Sequence, residues 1–143
     1  MMIVGRHLLA IILGILAGNT AMADMVVVVN ARAGVETMTR SEAINIFLGR
    51  YRRLSSGIPA YPIDHPAASL EKARFYRLLV DKDIAEIGAY WTRLVFSGKT
   101  GPPRQARDTR EVLTLLASQP GGVAYLDRVQ VDARARIVLE LER

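Results

Sequence analysis

The sequence predicts an α/β domain in which helices flank a mixed β-sheet. Two observations support this prediction: β-branched runs alternate with amphipathic segments along the chain, and turn residues separate them. The run Met25–Val29 is continuously apolar, which is typical of a strand that helices cover on both faces. No internal repeat or low-complexity linker interrupts the alternation, so residues 24–143 are predicted to form one domain.

The first 23 residues have the organisation of a secretory signal peptide. Arg6 precedes an apolar run over Leu8–Ala17, and the small residues Ala21 and Ala23 precede Asp24. The apolar run has about 10 residues, whereas about 20 are needed to span a bilayer, so cleavage is favoured over an uncleaved anchor. We therefore expect cleavage after Ala23 and a periplasmic location for the rest of the chain.

Composition narrows the classes of function. Removing 23 of the 143 residues leaves 120, and the loss of Arg6 lowers the net charge from +5 to +4. The absence of cysteine excludes a disulfide framework, a thiol nucleophile and a cysteine-ligated zinc site. A modest positive charge on an exported protein is compatible with small anions as ligands, and nucleic acid is not expected as a partner.

Local signals define the order of the elements. Each predicted helix is preceded by a side chain that can accept a hydrogen bond from its first turn. The predicted N-caps are Thr39 (with Glu42 in a capping box), Ser69, Asp81 or Asp83, and Asp108, and Gly49 is expected to end the first helix. The predicted strands are Met25–Val29, Ala60–Ile63, Val123–Leu126 and Ile137–Leu141.

Residue types that carry catalysis are scarce. His65 is the only histidine of the expected mature chain, because His7 lies in the signal peptide. A Ser-His-Asp arrangement would have to use His65, but the G-x-S-x-G motif of one large hydrolase class is absent. Asp64, Asp81 and Asp83 do not form a recognised metal-ligand spacing with His65. We therefore predict a protein that is not an enzyme and uses no metal or cofactor.

Two further features each have two interpretations. Tyr90 and Trp91 could form a stacking platform, but their helical spacing with Ile87 and Leu94 favours a place in the core. Arginines cluster after the first helix and before the last one, where they either bind anions or form a solvated surface. These arginines are Arg50, Arg52, Arg53, Arg104, Arg107 and Arg110.

The loop that follows Ile63 is the most specific candidate site. It joins a predicted strand to a helix, and such a junction directs backbone N–H groups and the positive end of the helix dipole toward a ligand. An oxyanion would suit this position, although Ser69 could equally cap its helix beside an empty loop. The candidate ligand-binding residues are His65, Ala68, Ser69 and Leu70.

Several segments, taken in order, resemble the substrate-binding proteins of phosphate ABC importers. The most specific are the helix that ends in Ile46-Phe47-Leu48-Gly49-Arg50 and the segment Pro120–Tyr125. The others are Tyr61–Asp64, Phe75–Leu79 and Ala89–Lys99. The resemblance implies the type II periplasmic-binding-protein-like fold, of which 120 residues make about a single lobe. It also implies non-catalytic binding of phosphate or another small oxyanion, with an ABC transporter membrane component or another envelope protein as partner.

The chain departs from that family at the phosphate loop. The family pattern R-x-D-G-S-G-T aligns with His65–Glu71, where only Ser69 matches. His65 replaces the arginine, Ala67 the aspartate and Glu71 the threonine. Loss of the bidentate cation and gain of a carboxylate should weaken oxyanion binding. An accessory or interaction module that retains the fold without the ligand is therefore the alternative function.

Overall fold

A computed structural model describes residues 24–141. The signal-peptide prediction concerns residues 1–23, which lie outside the described residues. Among the residues described, no helix is long and apolar enough to cross a membrane. The elements are β1 (Met25–Asn30), α1 (Arg40–Phe47), β2 (Tyr61–Asp64), α2 (Leu70–Val80), α3 (Ile84–Phe96), β3 (Arg104–Gln105), α4 (Thr109–Ser118), β4 (Gly122–Asp127), a 3₁₀ turn (Arg128–Gln130) and β5 (Ala135–Glu140).

The strands form one mixed sheet in the order β3-β2-β4-β1-β5. β2 lies parallel to both of its neighbours, β3 and β4, whereas β1 pairs antiparallel with β4 and β5. The chain leaves β2 through α2 and α3 to reach β3 on one side, then returns through α4 to β4 on the other. The predicted α/β class with a mixed sheet is confirmed.

β1 is the strand around which both layers pack. All six of its residues are buried, as the continuous apolar run predicts. Met25, Val27 and Val29 belong to the core cluster that includes α1, α2 and α3, whereas Val26 and Val28 belong to the cluster that includes α4. The alternation of side chains along a strand thus distributes one apolar run over two cores.

The predicted helix starts are observed. Thr39 and Asp83 each accept a hydrogen bond from the N3 amide of their helix within a complete capping box, and Ser69 and Asp108 cap α2 and α4. The choice between the two aspartates is settled because Asp81 instead ends α2 in a left-handed conformation with φ of 54°.

Two local expectations differ from the structure. The helical spacing of apolar residues from Leu70 to Val80 predicts Leu70 on the apolar face of α2, but Leu70 is 84% exposed because it is the first residue of the helix and Phe75, Tyr76 and Leu79 form the buried side. The breakers over residues 97–103 predict a loop, and no strand is predicted after it, yet Arg104–Gln105 forms β3 by pairing with β2. This pairing depends on tertiary contact rather than on local propensity.

Candidate functional site

The loop from His65 to Ser69 lies where β2 and β4 end. These two parallel strands are neighbours, and we call the region beyond Asp64 and Asp127 the carboxyl edge. The connections that leave the carboxyl ends of β2 and its other parallel neighbour β3 lie on opposite faces of the sheet, because α2 packs with one core cluster and α4 with the other. The carboxyl edge is therefore a topological switch point, the place where open α/β sheets bind ligands.

A buried carboxylate lies directly beneath this loop. Asp64 is only 3% exposed, and both of its oxygens accept hydrogen bonds. The hydroxyl of Tyr76 donates to Oδ2 over 2.9 Å, and the hydroxyl of Tyr125 donates to Oδ1. The ammonium of Lys72 lies 3.6 Å from Oδ2. The charge of Asp64 is thus compensated, as a buried carboxylate requires.

Both phenols act as fixed donors to Asp64. Burial raises the pKa of Tyr125 far above its ordinary value, and the negative charge of Asp64 raises it further. Burial also raises the pKa of Tyr76, with the same additional contribution from Asp64. Each phenol therefore keeps its proton and donates to the carboxylate throughout the neutral pH range.

His65 connects the start of the loop to β4 through two hydrogen bonds. The residue is only 1% exposed, and its backbone N–H donates to the hydroxyl of Tyr125 over 3.2 Å. Its ring Nε2 lies 2.8 Å from the backbone oxygen of Tyr125, and because a carbonyl only accepts, this geometry places a proton on Nε2. The imidazole thus lies in the interior with Nε2 engaged, and it fixes where the loop begins.

Ser69, Ala68 and Leu70 form the surface of the loop and the start of α2. The hydroxyl of Ser69 donates to the carbonyl of Pro66 over 2.7 Å and accepts from the amide of Lys72 over 3.3 Å. Ala68 and Leu70 are exposed. The first amides of a helix have no intrahelical acceptor, so the N–H groups of Leu70 and of the residue after it are available to a ligand.

Sequence reasoning placed the loop correctly but missed the residues that support it. Lys72, Tyr76 and Tyr125 were not candidates, and Asp64 was considered only as a metal ligand, because their contacts join residues up to 61 positions apart. One signal was present in the sequence: an aspartate ends an apolar strand, and a buried aspartate needs donors. Within residues 24–141, no group of three or more metal-ligating side chains is present.

Comparison with known proteins relates the fold to one class. No protein-family model matches the sequence, and a search of curated proteins finds no match. A structure from Clostridium perfringens, described as a phosphate ABC transporter substrate-binding protein with bound phosphate, is similar with a TM-score of 0.65 at 12% identity, over 81% of this chain and 44% of the other. An ABC-type phosphate transport receptor from Vibrio cholerae is similar with a TM-score of 0.64 at 15% identity, over 81% and 45%.

These similarities establish a fold relationship with phosphate-binding transport proteins. The sequence identity is too low to carry more than the fold, and residues of the ligand site cannot be transferred from it. The chain spans less than half the length of each of these structures. The resemblance that the sequence motifs indicated is thus supported at the level of the fold.

The phenols around Asp64 predict how stability depends on pH. The unfolded chain releases these protons near the ordinary tyrosine pKa of 10.0, whereas the folded protein retains them. The free energy of unfolding is therefore fully maintained below pH 10 and falls as pH rises above it. Tyr76→Phe removes one of the two phenols, so the decline should be shallower by about 1.4 kcal/mol per pH unit. Urea unfolding at a series of alkaline pH values measures both slopes, and equal slopes would contradict the prediction.

Proposed function

We propose that this chain is an exported, non-catalytic protein of the solute-binding type that binds phosphate or another small oxyanion at the carboxyl edge. The site comprises the loop with His65 and Ala68 and the start of α2 with Ser69 and Leu70. One observation carries the proposal: α2 begins at the switch point of the sheet. The residues around its first amides and its positive dipole end are small or exposed, which leaves room for a ligand.

The charges around this site permit an anion without strongly attracting it. Asp64 lies beneath the loop, but Lys72 and two phenols compensate its charge, so it does not repel a ligand as a free carboxylate would. Glu71 lies in the first turn of α2, where its carboxylate competes with an anionic ligand for the positive end of the helix dipole. The hydroxyl of Ser69 already donates to the carbonyl of Pro66, so backbone amides are the principal donors left for a ligand. We therefore expect weak affinity and a small, compact oxyanion.

The proposal includes export of the protein to the periplasm. The signal-like segment before Asp24 would deliver the protein to the periplasm, where an ABC transporter membrane component or another envelope protein would be its partner. The exported protein should begin at Asp24, which N-terminal sequencing of a periplasmic fraction would establish. An intact Met1 in the membrane fraction would contradict cleavage.

Phosphate binding can be tested by removing one amide proton. Leu70 is the N1 residue of α2, a position at which proline is well tolerated, and Ser69 already has the extended conformation that a residue before proline requires. Leu70→Pro therefore deletes a candidate donor and preserves the helix. Because a hydrogen bond to a charged group contributes about 1.5–3 kcal/mol, phosphate affinity should fall at least about tenfold. Calorimetric titration with phosphate measures the change.

Leu70→Ala is the matched control for that experiment. It removes the same exposed side chain but retains the amide proton, so phosphate should bind it as it binds the unmodified protein. Circular dichroism and thermal unfolding would verify that both variants keep α2. Equal affinities of the two variants would move the site away from this amide. Absence of heat with the unmodified protein at millimolar phosphate would reject the proposed binding altogether.

A second candidate function rests on exposed apolar side chains at the same edge. Leu70 is 84% exposed at the start of α2, and Val129 is 85% exposed in the turn that follows β4. An apolar patch is typical of a protein contact where such side chains adjoin one another. This observation favours an accessory module of the cell envelope that retains the fold without its ligand. The phosphate titration separates the two functions, since the module would show no binding.

A further inference from the structure

A cleft lies at the start of β2, at the opposite end of this strand from the loop with Ser69. It has a volume of about 560 Å³, which is within the range of sites for small organic ligands. The end of α1, the first residues of β2, Trp91 of α3 and the segment Thr100–Arg104 form its walls. The cleft therefore involves other residues than those proposed to bind an oxyanion.

The walls of this cleft offer flat apolar surfaces. Trp91 is 8% exposed and belongs to the core, whereas Tyr51 is half exposed at the rim. The exposed Pro102 adds rigid apolar surface on the other side, whereas Pro103 is buried. Aromatic and proline surfaces of this kind favour a planar apolar ligand, because such a ligand can stack or pack against them over a wide area.

The cleft also carries positive charge without an acidic counterpart. Arg52 and Arg104 line it, and none of the lining residues is acidic. Arg52 donates to the carbonyl of Lys99 over 2.8 Å, which holds the loop that closes the cleft. Arg104 is exposed, and within residues 24–141 its guanidinium forms no ion pair or hydrogen bond. Its planar set of donors is therefore available to a carboxylate.

One detail indicates that the fold shapes this cleft. Gly49 adopts φ of +76°, and a Cβ there would come within 3.0 Å of Trp91 and 2.9 Å of Thr100, so only glycine allows these two walls to approach.

We propose that this cleft binds a small aromatic carboxylate. The planar ring packs against the accessible surfaces of Tyr51 and Pro102 beside Trp91, and the carboxylate pairs with the free guanidinium of Arg104 beside Arg52. This site is independent of oxyanion binding at the carboxyl edge. It calls for a ligand with both an apolar body and a negative charge, whereas inorganic phosphate has only the charge.

The proposal can be tested with benzoate as the probe. Trp91 is the only tryptophan of the chain, so its indole N–H gives a single resonance in the nitrogen–proton correlation spectrum and reports directly on the cleft. Benzoate should shift this resonance in a saturable manner. Benzyl alcohol, which has the same ring without the charge, should bind at least about tenfold more weakly. Inorganic phosphate should not displace benzoate.

Arginine variants distinguish benzoate binding at this cleft from nonspecific attraction of benzoate to a positively charged protein. Arg104→Gln should weaken benzoate binding at least about tenfold, and Arg104→Lys should restore it only in part because lysine lacks the planar pair of donors. Arg110→Gln is the matched control: it removes another exposed arginine, which lies in α4 outside the cleft, and should leave benzoate affinity unchanged.

Three results would overturn the proposal. The first is the absence of a saturable shift of the indole resonance up to roughly 10 mM benzoate. The second is equal binding of benzoate and benzyl alcohol, and the third is equal loss of affinity in Arg104→Gln and Arg110→Gln. Because both arginines are exposed, the variants should remain folded, and the dispersion of the same spectra verifies this directly.

Discussion

The buried carboxylate of Asp64 is the constraint on which the candidate site depends. A carboxylate that is 3% exposed must be compensated, and here the compensation comes from β4, from the middle of α2 and from the first turn of α2. Two elements, α2 and β4, are therefore fixed relative to the end of β2 by one side chain. Breaking such a set of contacts from one side leaves a buried charge unpaired, which typically costs about 3–5 kcal/mol.

The position of the loop follows from this constraint. Lys72 reaches inward to Asp64, and its amide also donates to Ser69, so a single residue connects the buried carboxylate with the cap of α2. His65 fixes the other end of the loop through Tyr125. The loop is consequently held at both ends, and its small, exposed residues present backbone amides at the switch point. Preorganised amides of this kind bind anions without a dedicated arginine.

Much of the fold could be predicted from the sequence because its signals are local. The capping box at Thr39, the cap at Ser69 and the buried run of β1 each depend on residues close together in the chain, and each is observed. The pairing of Tyr125 with Asp64 and the formation of β3 depend on distant residues. No periodicity or spacing encodes such contacts, which is why the supports of the candidate site were missed although the loop itself was found.

Mapping phosphate onto the backbone amides tests the central claim most directly. A series of nitrogen–proton correlation spectra recorded with increasing phosphate should show saturable shifts concentrated at residues 67–71, where the loop meets α2. The indole resonance of Trp91 should remain in place, because the aromatic cleft lies at the other end of β2. Shifts concentrated elsewhere, or no saturable shifts at millimolar phosphate, would contradict an oxyanion site at the carboxyl edge.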